Sequence, residues 1–373
     1  MSSQSFHQPH WSTWVAPLGA LALVGLKFAH LLDPANPAVI AVAAIFLLAS
    51  VFAAVHHAEV VALKVGEPFG SILLAIAVTV IEVALIVSMM VSASSNGSSL
   101  ARDTVFSAVI IVLNGVVGLC LVAGGARYHE QGFRVSGTAS TLSVLSTLAV
   151  MTLILPNFTL TRWGPQYSPV QLIFVSILSL ILYGVFVFVQ SVRHRDYFLV
   201  KDVKAAPVAD AEPGEKLEAL PSAGMTALSS VLLLVSLVAV VLLAKTLSPA
   251  LEKAIAAAGL PGSFIGVVIA GLVLLPESVA ALNAARANRI QTSLNLALGS
   301  AVASIGLTIP VVGAVSLYMG QDLTLGLEPQ GEVMLILTLF ASSLTLATGR
   351  ATILQGAVHL VIFGVFLLLA AVP

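Results

Sequence analysis

The sequence predicts an all-α polytopic membrane protein with eleven transmembrane helices, arranged as one extra helix followed by two inverted five-helix repeats. Three observations predict this class. Of the 373 residues, 58% are hydrophobic and only 9% are charged, whereas a soluble domain carries about a quarter charged residues. Eleven apolar stretches are long enough to cross a bilayer. Each half of the chain also places a single acidic residue inside a matching stretch.

The spans follow from length and apolar content, since a membrane helix needs roughly 20 mostly apolar residues. Gly, Pro and charged residues separate the stretches. The predicted spans are approximately 14–32, 37–57, 69–92, 104–124, 137–156, 169–191, 225–247, 262–285, 292–318, 332–348 and 352–372.

One long polar segment divides the chain. Residues 193–224 mix acidic and basic side chains and contain three prolines, which predicts a linker. Residues 1–36 are then an N-terminal segment with the extra helix, 37–192 the first five-helix repeat, and 225–373 the second.

Lys and Arg predict the orientation, because they concentrate on the cytoplasmic side. With eleven spans, the N-terminus and the 193–224 linker share one side. That side carries eleven Lys and Arg, against four on the other. The N-terminus and the linker are therefore expected in the cytoplasm and the C-terminus outside. Net charge near zero predicts no nucleic-acid partner, and a single cysteine, Cys120, excludes an intrachain disulfide.

The two halves resemble each other. "FGSILLAIAVTVIEVALI" carries Glu82 at mid-span, and "FIGVVIAGLVLLPESVAAL" carries Glu277 at the equivalent place. The spans that follow align without a gap, and Thr104 meets Thr292. Because five spans per half is an odd number, the halves must be inverted relative to each other. Inverted repeats with sites at the bilayer midplane are typical of secondary transporters.

Glu82 and Glu277 are the predicted cation ligands. An isolated Glu at the bilayer centre costs roughly 2.5–3.5 kcal/mol on insertion scales, so each needs a partner. Two converging carboxylates make an oxygen-rich anionic site that suits Ca²⁺, and without nearby thiolates or imidazoles the site disfavours Zn²⁺ and Cu⁺. Further oxygens are expected from Thr79, Asn114, Ser300 and Ser304. For Asn114, a plain interhelical hydrogen bond is an equal interpretation.

The same two carboxylates are expected to carry protons. A proton neutralises a carboxylate that a cation needs ionised, so protons and cations compete for Glu82 and Glu277. If the site opens alternately to each side of the membrane, such competition is sufficient for antiport. His56, His57 and Glu59 form a polar group near the cytoplasmic mouth, where His titrates close to neutrality. They are candidates for pH sensing, although ordinary interfacial polarity is the favoured interpretation.

Three motifs resemble the cation/calcium exchanger superfamily, and within it the bacterial ChaA-type calcium/proton antiporters. "VGEPFGSILLAIAVTVIEVALI" resembles the first alpha-repeat of that branch, "GSAVASIGLTIP" resembles the helix completing the second repeat, and "GGARYHEQGF" resembles a family loop. The resemblance implies a ten-helix exchanger core plus one extra helix, with Glu82 and Glu277 binding the cation. Many relatives read Gly-Asn-x-x-Glu at both acids. Here Val78-Thr79 and Val273-Leu274 replace Gly-Asn.

The sequence therefore predicts a secondary active antiporter that exports Ca²⁺ from the cytoplasm in exchange for protons. The missing Gly-Asn oxygens leave open a Na⁺ or K⁺/proton antiporter active at alkaline pH. The expected partners are the transported ion, protons and the lipid bilayer. No enzymatic activity and no resident cofactor are expected. The expected location is a bacterial inner membrane, and the oligomeric state is left open.

Overall fold

The computed structural model describes residues 11–33, 36–66, 69–92, 98–198 and 221–373. Within these residues, eleven helical segments are long and apolar enough to cross a membrane, which confirms the predicted number. Most of the predicted linker, residues 199–220, and the first ten residues lie outside the described part of the chain.

Twelve α-helices build the eleven spans, because the fourth span is divided by a π-helical turn. The helices are α1 Trp11–Phe28, α2 Pro37–Val65, α3 Phe69–Ser92, α4 Leu100–Ile110, α5 Val117–Tyr128, α6 Val135–Ala149, α7 Pro169–Phe188, α8 Ala223–Ala257, α9 Phe264–Arg286, α10 Ile290–Met319, α11 Pro329–Ala347 and α12 Ile353–Ala371. Further π-helical turns, Val150–Ile154 and Val189–Arg193, extend α6 and α7.

Local signals explain where several helices begin. Asn36 caps α2 by accepting a hydrogen bond from the Ala38 N–H, and Pro37 supplies a fixed first turn. Ser168 and Gln171 form a reciprocal capping box at α7, as Thr352 and Gln355 do at α12. The ends of the helices carry weaker signals than their starts. Helix α2 continues to Val65, eight residues past the predicted end of the second span, because no turn signal interrupts it.

The antiparallel relation of the two halves is visible in which helix ends meet. One cavity is lined by the first half of α3, the first half of α10, the last turns of α7 and the middle of α9. The starts of α4, α9 and α11 meet at a separate small cavity of about 100 Å³. Helices α3 and α9 therefore run in opposite directions, as inverted repeats require. We call the side where α7 and α9 end and α10 begins the mouth side, and the opposite side the far side.

A short strand pair joins the two halves on the mouth side. Strand β1, Gln131–Gly132, pairs antiparallel with β2, Arg350–Ala351. The Gln131 amide donates to the Ala285 carbonyl oxygen at 3.1 Å and to Asn288 Oδ1 at 2.9 Å. Gly124 makes room for this side chain, because a Cβ there would lie 1.8 Å from Gln131 Oε1. The loop after α5 is thereby fixed against the end of α9.

Candidate cation-binding site

The structure brings both predicted acids into one cavity. Helices α3, α7, α9 and α10 enclose about 170 Å³, and Glu82 and Glu277 both line this space. Three further predicted ligands, Thr79, Ser300 and Ser304, also line it. The five predicted ligands in the cavity therefore supply two carboxylates and three hydroxyls, contributed by helices of both repeats.

Glu82 is buried and hydrogen-bonded across the repeats. Its side chain is on α3, the residue is 3% exposed, and Ser304 Oγ on α10 lies 2.6 Å from both Oε1 and Oε2. Thr308, one turn further along α10, is fully buried. The predicted ligand Ser304 on α10 therefore faces Glu82.

Glu277 has a different environment. Its Oε2 atom is buried and has no hydrogen-bond partner among the described residues. The preceding residue, Pro276, lies inside α9 and has no N–H to donate to the carbonyl four residues earlier, at Leu272. A buried carboxylate oxygen without a partner is costly, so this position is suited to a bound cation or a proton.

Asn114 is not brought to this cavity. It is fully buried in the π-helical turn Ile111–Val116, between α4 and α5. Its Nδ2 donates to Thr338 Oγ1 at 2.8 Å, and its Oδ1 lies 2.9 Å from Nδ1 of His359. His359 Nε2 in turn lies 3.1 Å from Thr345 Oγ1. The π-helical turn changes which side the residue faces, so Asn114 connects its helix to α11 and α12 by the interhelical hydrogen bonds of the alternative interpretation.

The candidate pH-sensing residues separate into two environments. His57 is fully buried, and its Nε2 lies 3.2 Å from the carbonyl oxygen of Thr13 on α1. The His56 ring contacts it edge-on, with centroids 5.5 Å apart. Glu59 is exposed, and its carboxylate interacts electrostatically with Glu277. Of these three residues, Glu59 is the one whose charge interacts with an acid of the candidate site, Glu277.

Three polar residues of the cavity lining escaped the sequence analysis: Tyr183, Gln190 and Asn295. Asn295 is recognisable in retrospect, because it precedes Gly299 and Ala303 at helical spacing on the cavity face of α10. Gln190 lies in the π-helical turn that ends α7, and no pattern around it marked it as part of a site. Asn295 Nδ2 donates to the Phe198 carbonyl oxygen at 2.6 Å.

The fold and the cavity define a class: an inverted-repeat membrane transporter with two acidic residues at its centre. The chain matches the family model described as sodium/calcium exchanger protein over residues 36–192 and 228–372. It therefore belongs to the sodium/calcium exchanger protein family, within the cation/calcium exchanger superfamily, and the predicted family is confirmed.

Relatives extend this result along nearly the whole chain. The chain is 51% identical to y4hA of Sinorhizobium fredii, named as an ionic transporter, over 99% of this chain and 98% of that one. It is 32% identical to the sodium-potassium/proton antiporter ChaA of Escherichia coli, over 89% of each. It is 25% identical to a Ca²⁺/H⁺ antiporter of Aphanothece halophytica, over 81% of each. Native YfkE shares its fold, with a TM-score of 0.72 at 16% identity over 97% of this chain and 100% of that one.

Proposed function

We propose that this protein is a secondary active antiporter that exports Ca²⁺ from the cytoplasm in exchange for protons. The observation that carries the proposal is the pair Glu82 and Glu277, contributed by inverted helices to one cavity. The pair supplies two negative charges when ionised, which match one Ca²⁺, and no charge when both are protonated. The occupancy of the site by Ca²⁺ or by two protons then leaves its total charge unchanged.

The other lining groups complete the proposed coordination. Ca²⁺ takes about six to eight oxygen ligands. Two carboxylates offer up to four, and the hydroxyls of Thr79, Ser300 and Ser304 offer three more. In the structure, Ser304 donates to Glu82. In the proposed bound state, the Ser304 oxygen turns a lone pair to the cation instead.

Exchange follows from competition and alternating access. Protons arriving at Glu82 and Glu277 neutralise the ligands and release the cation, and a cation displaces the protons. Glu59 is the proposed proton-sensing residue, because its charge interacts with Glu277. The proposed reaction moves ions and protons only, without a catalytic residue or a resident cofactor.

We place the protein in a bacterial inner membrane with its mouth side in the cytoplasm. Lys and Arg are concentrated in the segments between spans that lie on that side, in agreement with the positive-inside rule. The N-terminus and the 193–224 linker are then cytoplasmic and the C-terminus outside. The last turns of α7 and the first half of α10, which line the cavity, lie on the proposed cytoplasmic side.

A second candidate is a Na⁺ or K⁺/proton antiporter. Two observations favour it. ChaA, at 32% identity, is named as a sodium-potassium/proton antiporter. In addition, Val78, Val273 and Leu274 line the cavity, so it lacks amide oxygens at positions where many calcium/proton exchangers carry Gly-Asn. Fewer oxygens reduce the advantage of Ca²⁺ over monovalent ions.

Proton flux in proteoliposomes tests both candidates. An imposed pH gradient is challenged with micromolar Ca²⁺, then with millimolar Na⁺ and K⁺, at two pH values. We expect Ca²⁺ to collapse the gradient, and Glu82→Gln and Glu277→Gln each to abolish this response. Glu252→Gln is a matched control, since Glu252 lies on α8 beside Ser248. If only Na⁺ or K⁺ collapses the gradient, the transported ion is monovalent and not Ca²⁺. Full Ca²⁺ exchange in a Glu82→Gln, Glu277→Gln double variant would exclude the proposed site.

A further inference from the structure

A groove of about 690 Å³ lies on the far side, between the segment that joins α6 to α7 and the start of α11. We propose that this groove, called the outer groove below, holds the headgroup of a phospholipid with a primary ammonium group, whose acyl chains lie in the adjoining bilayer. The outer groove shares no lining residue with the cation cavity. The inference therefore does not depend on which ion is transported.

The two walls of the outer groove are held together by hydrogen bonds. Asn157 Nδ2, on one wall, donates to the Leu327 carbonyl oxygen and to Glu332 Oε1, each at 2.6 Å. The Gly326 N–H donates to the Pro165 carbonyl oxygen at 3.0 Å. A Cβ at Gly326 would lie 1.8 Å from Asn157 Oδ1, so glycine permits this close approach. Because the walls are fixed to each other, the groove is formed before any ligand arrives.

The outer groove lies at the level of the membrane surface. The α6 span continues to Phe158 and α11 begins at Pro329, so the groove residues lie where the hydrocarbon layer ends. Two of them, Leu160 and Trp163, are fully exposed, and Phe158 is largely exposed. Exposed apolar groups beside span ends are typical of lipid contact, and Trp is enriched at the membrane–water interface. The rim therefore suits the glycerol and upper acyl region of a lipid.

The two arginines of the outer groove are already paired with acids. Arg102 Nε lies 2.8 Å from Asp103 Oδ1, and Arg162 Nη1 donates to Asp322 Oδ1 at 2.6 Å. A paired guanidinium retains further N–H groups that can donate to a phosphate, but each pair adds no net positive charge. The groove can therefore bind the phosphate of a lipid without favouring a lipid of net negative charge.

Two glutamates of α11 give the outer groove an excess of negative charge. Glu328 occupies the N-cap position, yet its side chain makes no capping bond, and its Oε1 lies 3.9 Å from Arg102 Nη2, beyond hydrogen-bond distance. Glu332, one turn later, accepts from the neutral Asn157 amide. A primary ammonium supplies the matching charge together with three N–H donors, as a Lys side chain does. A quaternary ammonium has the charge but no N–H to donate.

Native mass spectrometry of the full chain tests the proposal. The protein is equilibrated with equal amounts of phosphatidylethanolamine, phosphatidylcholine and phosphatidylglycerol that have the same acyl chains. We expect phosphatidylethanolamine to be retained several-fold more than either other lipid. Glu328→Gln should remove the preference over phosphatidylcholine, and Trp163→Ala should lower retention of phosphatidylethanolamine several-fold.

Two far-side residues outside the outer groove provide matched controls. Glu252 lies near the end of α8 and accepts from Ser248, and Tyr318 is an exposed aromatic residue near the end of α10. Neither lines the groove. Glu252→Gln and Tyr318→Ala should therefore retain the lipid preference of the unaltered protein.

The outcomes separate the possible occupants. Equal retention of the three lipids would overturn the proposal, and a preference for phosphatidylglycerol would replace it with an anion site. Glycerophosphoethanolamine, the soluble headgroup, is tested in parallel by its effect on the thermal unfolding midpoint. If it stabilises the protein as much as the whole lipid does, the occupant is a free amine and the lipid is rejected. Loss of the preference in Glu328→Gln with cation exchange retained would support the proposal.

Discussion

Ser304 Oγ lies 2.6 Å from both carboxylate oxygens of Glu82, which connects the second repeat to the acid of the first. The inverted counterpart is not equivalent, because Glu277 Oε2 has no hydrogen-bond partner among the described residues. The π-helical turn Ile111–Val116 occurs in the helix that corresponds to α10 and changes its register. The two acids of a nearly symmetric fold therefore have different hydrogen-bond environments.

Replacing Ser304 tests this connection. We expect Ser304→Ala to raise the half-saturating cation concentration by about tenfold, since the cation would lose one of its proposed oxygen ligands and about 1.4 kcal/mol is a factor of ten. Isothermal titration of the purified protein measures the change. Ser316→Ala is the control, because that hydroxyl donates to the Gln321 carbonyl oxygen at the other end of α10. Equal affinities in both variants would reject a role for Ser304 in binding.

The sequence was sufficient to predict the spans, because burial in lipid requires long apolar stretches whatever the tertiary packing. It also identified Glu82, Glu277 and Ser304 as neighbours, since polar residues within such stretches must face the protein interior or one another. For Asn114 the sequence left two interpretations open, and the structure places this residue in the π-helical turn Ile111–Val116, with interhelical hydrogen bonds to Thr338 and His359. Helix rotation is hard to predict here, since residues facing lipid and residues facing the core are equally apolar.

The pH dependence of binding should report the number of displaced protons. Because protonated carboxyls do not bind a cation, apparent affinity falls as pH falls, by about tenfold per pH unit for each proton displaced. We expect the slope of the logarithm of apparent affinity against pH to approach two for the unaltered protein and one for Glu277→Gln. Titrations at a series of pH values give both slopes. An affinity independent of pH would contradict direct competition at this site.

Asn114 should contribute to stability rather than to ion binding. Asn114→Ala removes the buried partner of Thr338 Oγ1 and of His359 Nδ1, at a cost of about 1–3 kcal/mol. We expect a lower thermal unfolding midpoint in detergent with an unchanged cation affinity. Ser304→Ala should show the opposite pattern. A loss of affinity in Asn114→Ala at unchanged stability would restore Asn114 to the ligand set.

Tyr167, in the far-side segment before α7, should make stability sensitive to alkaline pH. Burial raises the pKa of Tyr167 to about 12, and its hydroxyl donates to the Met151 carbonyl oxygen. The contribution of the neutral phenol is present below its ordinary pKa of about 10 and is lost as pH rises through about 12. We expect Tyr167→Phe to be less stable near neutrality and to lose less stability across this window. Parallel stability curves would exclude this role.

Glu59 and His57 should differ in their effect on the cation site. The Glu59 carboxylate interacts with Glu277 and is exposed, so Glu59→Gln removes a negative charge that attracts the cation. We expect a few-fold loss of affinity at low ionic strength that diminishes as added salt screens the charge. His57→Asn is the comparison, since His57 contacts the Thr13 carbonyl oxygen of α1 and should change stability without this salt dependence. If His57→Asn alone altered cation affinity, pH sensing would belong to the histidine.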